Sequence, residues 1–546
     1  MVIRGVLRRK IIEFKEYKEA IQKEVESFRI VDNKHINILE SIKDTKKEIK
    51  KINIKYSLIP PFAYANIYWD EKEKDLIYRV IEPSLEGNEK EIYEKIKENL
   101  THYLDIDINK LKTREEQLKY LKEKVVKLME DLGIQLKPGQ FTRIMYYIYK
   151  TFIGLDKIEP LMHDPLIEDI GCDGIGIPLY LTHKKFGNLK TNIVYDDASE
   201  LEEFIIKLAE KCDRYISYAE PLLDGTLPDG SRVNATLSSD VTTHGPTFSI
   251  RKFVRIPYSA LDLYRLKTVS IEALAYLWFV IEHKVNILIA GGTGAGKTTM
   301  LNALVGFIPP EDKIISIEDT RELRLPHENW IPAVVRTGFG IESKTGEKYG
   351  EITMFDLLKE SFRQNPDYVI VGEVRGKEAS VLFQGMASGH PSIGTIHGGS
   401  IDDIIKRIET PPISLPPELI ESLDLILIMS HALQFGKSFR RLKKASELID
   451  IDRATGRAHV NDVFEWDPAK DEIIKRNSYL LQKISSEYGL PLYEIEKEIH
   501  QREEYLKWLD KNNITNFFEF SKYISLYHKD KESALELIKE GKLLSS

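Results

Sequence analysis

Cysteine is almost missing from this chain: only Cys172 and Cys212 occur in 546 residues. Two thiols cannot frame a fold with disulfides, and no CxxC pair offers a zinc site, so a reducing, cytoplasmic compartment is the natural reading. Long apolar runs are missing too. No window reaches the ~18 consecutive apolar residues that a spanning helix requires. The longest run, IEALAYLWFVIEH from Ile271, is short and bounded by charge. Any membrane contact is therefore expected to be peripheral or through a partner. The N-terminus shows no apolar core followed by a small-residue cleavage site, which excludes a secretory signal. A cationic excess is also absent: the net charge of -8 gives no global pull toward nucleic acid. There is no internal repeat and no low-complexity tract.

What is present is a composition of 42% hydrophobic and 30% charged residues, ordinary for a globular protein. At roughly 150 residues per domain, the length predicts three or four domains. Residues 1–105 are charge-rich. Ile3, Leu7, Ile11 and Phe14 recur at helical spacing among Arg4, Arg8, Arg9 and Lys10, the pattern of a helix packed on its own domain or of an arm suited to anionic lipid or to a partner protein. AYANIYWDEKEKDLIYRVI then alternates, breaks at a charged turn and resumes, which predicts a β-hairpin. Residues 106–255 combine helices with an α+β domain of short strands and one helix, ASELEEFIIKLAEKC. Val254–Ser270 reads as a linker. Residues 256–467 alternate apolar strands with helices, the pattern of a mostly parallel α/β sheet covered on both faces. Residues 468–546 read as a helical tail, after a hairpin turn at DRATGR.

The chemistry concentrates in the third block. Gly291–Thr298 reads GGTGAGKT, the full G-x-x-x-x-G-K-[ST] phosphate loop, with an apolar strand before it and a helix after it. In such a loop the backbone of Gly292, Thr293, Gly294, Ala295 and Gly296 turns its N–H groups inward. Lys297 reaches the β- and γ-phosphates, Thr298 offers a hydroxyl to Mg²⁺, and Thr299 continues the helix N-terminus. ATP and Mg²⁺ are the implied ligands. In KIISIEDTRELRLP, a strand ends in Glu318, Asp319 and Glu322; acids there orient a water or hold Mg²⁺, unless the loop is merely a solvated acidic turn. In PDYVIVGEVRG, a buried strand ends in Glu373, a Walker B element and second metal-side acid. In GHPSIGTIHG, His390 and His397 bracket a further strand, as site residues or as satisfied strand-end histidines. With no further Cys or His beside them, they do not read as a metal site.

These four segments, in this order, resemble the secretion-type ATPases of type II secretion and type IV pilus machines, closest to the archaeal pilus and archaellum branch. IEPLMHDPLIEDIGCDG, LPDGSRVNAT, SIRKF and FRR extend the match over residues 155–465. The resemblance implies a RecA-like core preceded by a PAS-like α+β domain, assembled as a homo-hexamer on a polytopic membrane platform protein. It implies catalytic roles for Glu322 and Glu373, and arginines outside the core, Arg232, Arg251 and Arg255, that stabilise the transferred phosphoryl group. The alternative for those arginines is pairing with acids such as Asp229 or Asp240. The tetracysteine module of many bacterial members is missing here. The expected function is a motor ATPase, cytoplasmic and peripheral at the inner face of the membrane, that drives assembly of pilin-like filaments. The competing readings are a RecA-like translocase ring on nucleic acid, disfavoured by charge and by the lack of a basic-aromatic stripe, and a non-hydrolysing scaffold, disfavoured by the intact acids.

Overall fold

The structure, a computed structural model, describes residues 23, 27–30, 49–106, 108, 111, 113–137, 139–237, 239–253, 257–336, 338, 349–434, 437–453 and 455–544. The stripe Ile3, Leu7, Ile11 and Phe14 with its basic neighbours, and Arg255, lie outside the described residues. The chain divides into two compact units, residues 1–253 and 254–546.

The first unit is built on one nine-stranded sheet. Its strands are β1 (Asn53–Ile59), β2 (Ala63–Asp70), β3 (Asp75–Ile81), β4 (Ile167–Cys172), β5 (Pro178–His183), β6 (Gly187–Val194), β7 (Leu222–Thr226), β8 (Arg232–Thr236) and β9 (Thr247–Arg251). They lie in the order β1-β2-β3-β6-β5-β4-β9-β8-β7. The β2–β3 hairpin forms where alternation predicts it. Ala63, Ala65 and Ile67 are fully buried on one face, and Asp70 Oδ1 closes the charged turn by accepting N–H bonds from Lys72 at 2.8 Å and Glu73 at 3.0 Å. The parallel pairing of β3 with β6 joins this hairpin to the later strands. A single core then runs from Phe28 to Ile250, so residues on both sides of position 105 share one sheet and one interior. The IEPLMHDP stretch is part of that interior. Asp164, fully buried, accepts the hydroxyls of Tyr56 and Tyr78 at 2.6 Å each.

The second unit carries β10 (Ile287–Gly291), β11 (Ile314–Glu318), β12 (Trp330–Val334), β13 (Tyr368–Val374), β14 (Ser392–His397), β15 (Leu425–Gln434), β16 (Lys437–Asp452), β17 (Arg457–Asp467) and β18 (Glu472–Lys475). Their order is β12-β11-β13-β14-β10-β15-β16-β17-β18. Pairing is parallel from β12 through β15 and antiparallel from β15 to β18. Alternate residues of β10 enter different cores: Ile287 and Ile289 one, Leu288 and Ala290 the other. That is why the strand reads as a continuous apolar run: it is covered on both faces.

One segment departs from the sequence expectation, and the expected C-terminal helices pack on the core. The presumed linker holds a helix, Ala260–Arg265, capped reciprocally by Ser259 and Asp262, with Leu261 and Leu263 buried in the core. The C-terminal helices Tyr479–Tyr488, Leu492–Lys511, Phe517–Lys529 and Lys531–Glu540 are not a detached tail. Arg502 places its guanidinium 4.8 Å from the ring centroid of Trp278 on the helix Ile271–Glu282. Trp278 in turn stacks on Phe307, just beyond the helix Lys297–Val305. Buried Glu447 of β16 accepts Tyr276 Oη at 2.7 Å, Asn461 Nδ2 at 2.8 Å and the Tyr479 N–H at 2.6 Å, tying helix and sheet together.

Candidate functional site

β10 lies between β14 and β15 and delivers the chain at its carboxyl end into Gly292–Gly296. Gly294 (φ 71) and Gly296 (φ 89) adopt the left-handed conformation, which a side chain would strain. A Cβ on Gly291 would stand 2.8 Å from Met429 O, so the strand end also has to be glycine to pass its neighbour. Gly296 caps the helix Lys297–Val305, whose first turn carries Lys297, Thr298 and Thr299. Lys297 Nζ donates to Gly291 O at 3.2 Å and Gly292 O at 3.3 Å. Half-burial lowers the Lys297 pKa; the carboxylates of Glu373 and Glu322 act against that shift, and Arg375 and Arg407 act with it.

The neighbouring parallel strands bring their acids to the same edge. β11 ends at Glu318, which is 2% exposed. Its Oε1 accepts the N–H groups of Glu322 at 2.8 Å and Leu323 at 2.9 Å. Its Oε2 is buried without a protein partner among the described residues, and burial pushes the carboxyl up to about 7. Asp319 lies 3.5 Å from Arg375, which also pairs with Glu373 at 2.5 Å. In β13 the register to β14 shifts between Val371 and Val374. That irregularity falls on Gly372 and Glu373, a device that re-aims side chains at strand ends. Thr395 Oγ1 of β14 donates to Gly372 O at 2.6 Å and holds the irregular turn.

His397 ends β14 opposite Gly291, and its carbonyl lies 3.5 Å from Arg407. His390 precedes the same strand and so lies on the order of 20 Å away, at the other edge of the sheet. There it meets the ring of Phe362, with centroids 4.9 Å apart. The structure therefore gathers Lys297, Glu318, Asp319, Glu322, Glu373 and His397 and leaves His390 outside. Three arginines that motif reading did not assign join the cluster: Arg375, Arg407 on the helix Ile401–Glu409, and Arg440, whose Nε donates to Gly294 O at 2.8 Å. Arg375 and Arg440 each lie in a quoted stretch, PDYVIVGEVRG and FRR, whereas Arg407 had no signal.

In the first unit, Arg232 and Arg251 stand directly opposite one another on β8 and β9. Arg232 pairs with Asp224 at 3.2 Å and Arg251 with Asp169 at 3.1 Å. Arg232 Nε is buried without a partner among the described residues.

A glycine loop that opens a helix beside strand-end carboxylates of a parallel sheet places the chain among the P-loop nucleotide-binding proteins. Within that class it belongs to the type II/IV secretion system protein family, which matches residues 183–503. An uncharacterized protein of Methanocaldococcus jannaschii is 34% identical over 515 residues, 89% of this chain and 91% of its own. VirB11 of Agrobacterium fabrum is 30% identical over 280 residues, covering 45% of this chain and 77% of that one. Among solved structures, the Legionella pneumophila ATPase DotB is similar at 15% identity and a TM-score of 0.38, covering 70% of this chain and 94% of its own. Among the described residues no helix is long and apolar enough to cross a membrane.

Proposed function

We propose that the protein is a hexameric motor ATPase that hydrolyses ATP and uses the resulting motion to assemble pilin-like filaments through a membrane platform protein. The observation that carries this reading is the phosphate loop with Lys297 at the carboxyl end of β10, on the same edge of the parallel sheet as the acids that end β11 and β13, a cation for the phosphates beside acids for the water and the metal side. Membership of the secretion family supports the mechanical role, and the long match to a Methanocaldococcus relative supports the archaeal branch. The α/β units serve as the RecA-like core and the PAS-like domain.

On ATP binding, the Lys297 ammonium leaves the two loop carbonyls for the β- and γ-phosphate oxygens, which are stronger acceptors. Glu322 orients the attacking water and accepts its proton, while Arg375 keeps Glu373 and Asp319 aligned until the nucleotide arrives. The donor set suits Mg²⁺, which takes one or two protein oxygens beside substrate phosphates: Thr298 Oγ1 and the Glu373 carboxylate would hold it, and it would neutralise charge on the phosphates. Arg232 and Arg251 are assigned to the transferred phosphoryl group, and the buried Arg232 Nε without a partner among the described residues supports that assignment. The N-terminal arm is assigned to anionic lipid at the inner face of the membrane.

The test is steady-state ATP hydrolysis beside binding of a fluorescent ATP analogue. Glu373→Gln abolishes turnover but not binding. Arg232→Ala or Arg251→Ala keeps binding and lowers turnover by at least ~10²-fold, a conservative bound for an arginine on a transferred phosphoryl group. A parent protein without ATPase activity would sink the reading. Removal of residues 1–15 spares hydrolysis and weakens binding to anionic liposomes; unchanged liposome binding removes the lipid role.

A further inference from the structure

The segment from Asp319 to Asn329 has no regular secondary structure, yet its backbone around Glu322 is held on both sides. From the strand, Glu318 Oε1 takes the N–H groups of Glu322 and Leu323. The Glu318 stem fits because residue 372 is glycine; a Cβ there would stand 3.1 Å from Glu318 Cγ. From the phosphate-loop helix, Asn302 is 7% exposed. Its Nδ2 lies 3.4 Å from Glu322 O, and its Oδ1 accepts the Arg324 N–H at 3.0 Å. Leu323, fully buried, anchors the same turn in the core. Both peptide groups of Glu322 and the N–H of Arg324 thus find their partners in two buried side chains rather than in a ladder, which is how an irregular buried backbone is satisfied.

We propose that Glu318 and Asn302 act as a clamp that sets the position of Glu322 relative to the phosphate loop, so both are positioning residues for hydrolysis and neither touches the reacting atoms. This rests on the ATPase reading and on the catalytic role of Glu322. Asn302 shares a helix with Lys297 and Thr298. A displacement of that helix by bound phosphate therefore carries Glu322 with it and preserves the distance between the water-orienting acid and the γ-phosphate. The chemistry of the clamp is specific. A single oxygen with two lone pairs accepts two N–H bonds at position 318, and a glutamine carbonyl does the same. At 302 a donor and an acceptor are both needed, and leucine of similar size offers neither.

The experiment compares the parent with Glu318→Ala, Glu318→Gln and Asn302→Leu, measuring kcat, KM, affinity for a fluorescent ATP analogue, and amide hydrogen exchange over residues 319–326. Glu318→Ala and Asn302→Leu are expected to lower kcat by about 10²-fold, the loss attached to a misplacement of roughly 1 Å, with analogue affinity within about threefold of the parent. Glu318→Gln is expected to recover at least ~10-fold of what alanine loses. Exchange at Glu322 and Leu323 should quicken in Glu318→Ala, and exchange at Arg324 in Asn302→Leu. A Glu318→Gln variant as inactive as Glu318→Ala overturns the clamp, because the charge and not the acceptor then matters. Unchanged exchange in both variants overturns it as well. Exchange is read without turnover, so a parent that fails to hydrolyse ATP discredits the functional reading while the clamp is still decided by exchange.

Discussion

Replacing Lys297 by alanine separates the stability of the fold from the stability that nucleotide confers. The ammonium makes two hydrogen bonds to loop carbonyls, at 3.2 and 3.3 Å, each contributing about 0.5–1.5 kcal/mol. Burial, reinforced by Arg375 and Arg407, acts in the other direction by depressing its pKa. A base depressed in this way is charged at some cost in the folded state, and alanine removes that cost. The two effects offset, so the variant without nucleotide is expected to differ from the parent by no more than about 1 kcal/mol. ATP at a hundredfold excess over its Kd stabilises the parent by about 2.7 kcal/mol. For a unit of this size that is roughly 5–10 °C in Tm, at about 2–4 °C per kcal/mol. Losing a charged contact to phosphate removes about 1.5–3 kcal/mol of binding. At the same ATP concentration the stabilisation then falls to about half its size or less. The assay is scanning calorimetry of both proteins with and without ATP and magnesium. Equal nucleotide-induced shifts in parent and variant, or a variant melting more than about 4 °C lower without nucleotide, would refute the reasoning.

Burial raises Glu318 from an ordinary 4.5 to about 7, so the folded chain holds that proton across a window where the unfolded chain has lost it. This contribution to stability therefore falls as pH rises from about 4.5 to 7, and the penalty is complete above that range. Glu318→Gln should gain roughly 1–3 kcal/mol over the parent at pH 8 and almost nothing at pH 4.5, read from urea midpoints; equal gains at both pH values would contradict the assignment. Gly385 faces Phe362 where the helices Met354–Arg363 and Glu378–Ala387 meet, and a Cβ there would lie 2.1 Å from the ring. Gly385→Ala is expected to destabilise the second unit by about 1–3 kcal/mol, with Phe362→Leu in the same chain recovering part of the loss; a neutral Gly385→Ala would show that the crossing is not tight.

The phosphate loop was legible in sequence because its requirements are local: an apolar run, glycines at the left-handed positions and a lysine opening a helix all fall within residues 287–300. The β2–β3 hairpin was legible because one face of it is buried, and burial on one face writes a period of two. β1 was missed, its short alternation running straight into the Pro60–Pro61 pair. The helix Ala260–Arg265 was read as linker because six residues carry too little periodicity; its reciprocal cap, Ser259 and Asp262, was the available signal. For the site, motif order collects the strand-end acids but cannot tell the two ends of a strand apart, and so His390 and His397 read alike. Nor does proximity in sequence reveal Arg440, which reaches Gly294 across 146 positions because antiparallel β16 returns alongside β15. Glu318 reads as one acid among several. Only burial shows that it faces the backbone of its own loop.

The strand that carries the phosphate loop is flanked by β14 and β15, and the loop itself is gripped by Arg440 of β16. Its last neighbour therefore arrives in the chain long after the loop. During synthesis from the N-terminus, residues 287–300 emerge with no sheet on one side until about four-fifths of the 546 residues have been made, and long-range pairing of this kind is slow to form. Until then the loop lacks both its β15 neighbour and the Arg440 contact to Gly294 O. The phosphate loop, local in sequence, is thus shaped by strands from more than a hundred residues further along the chain.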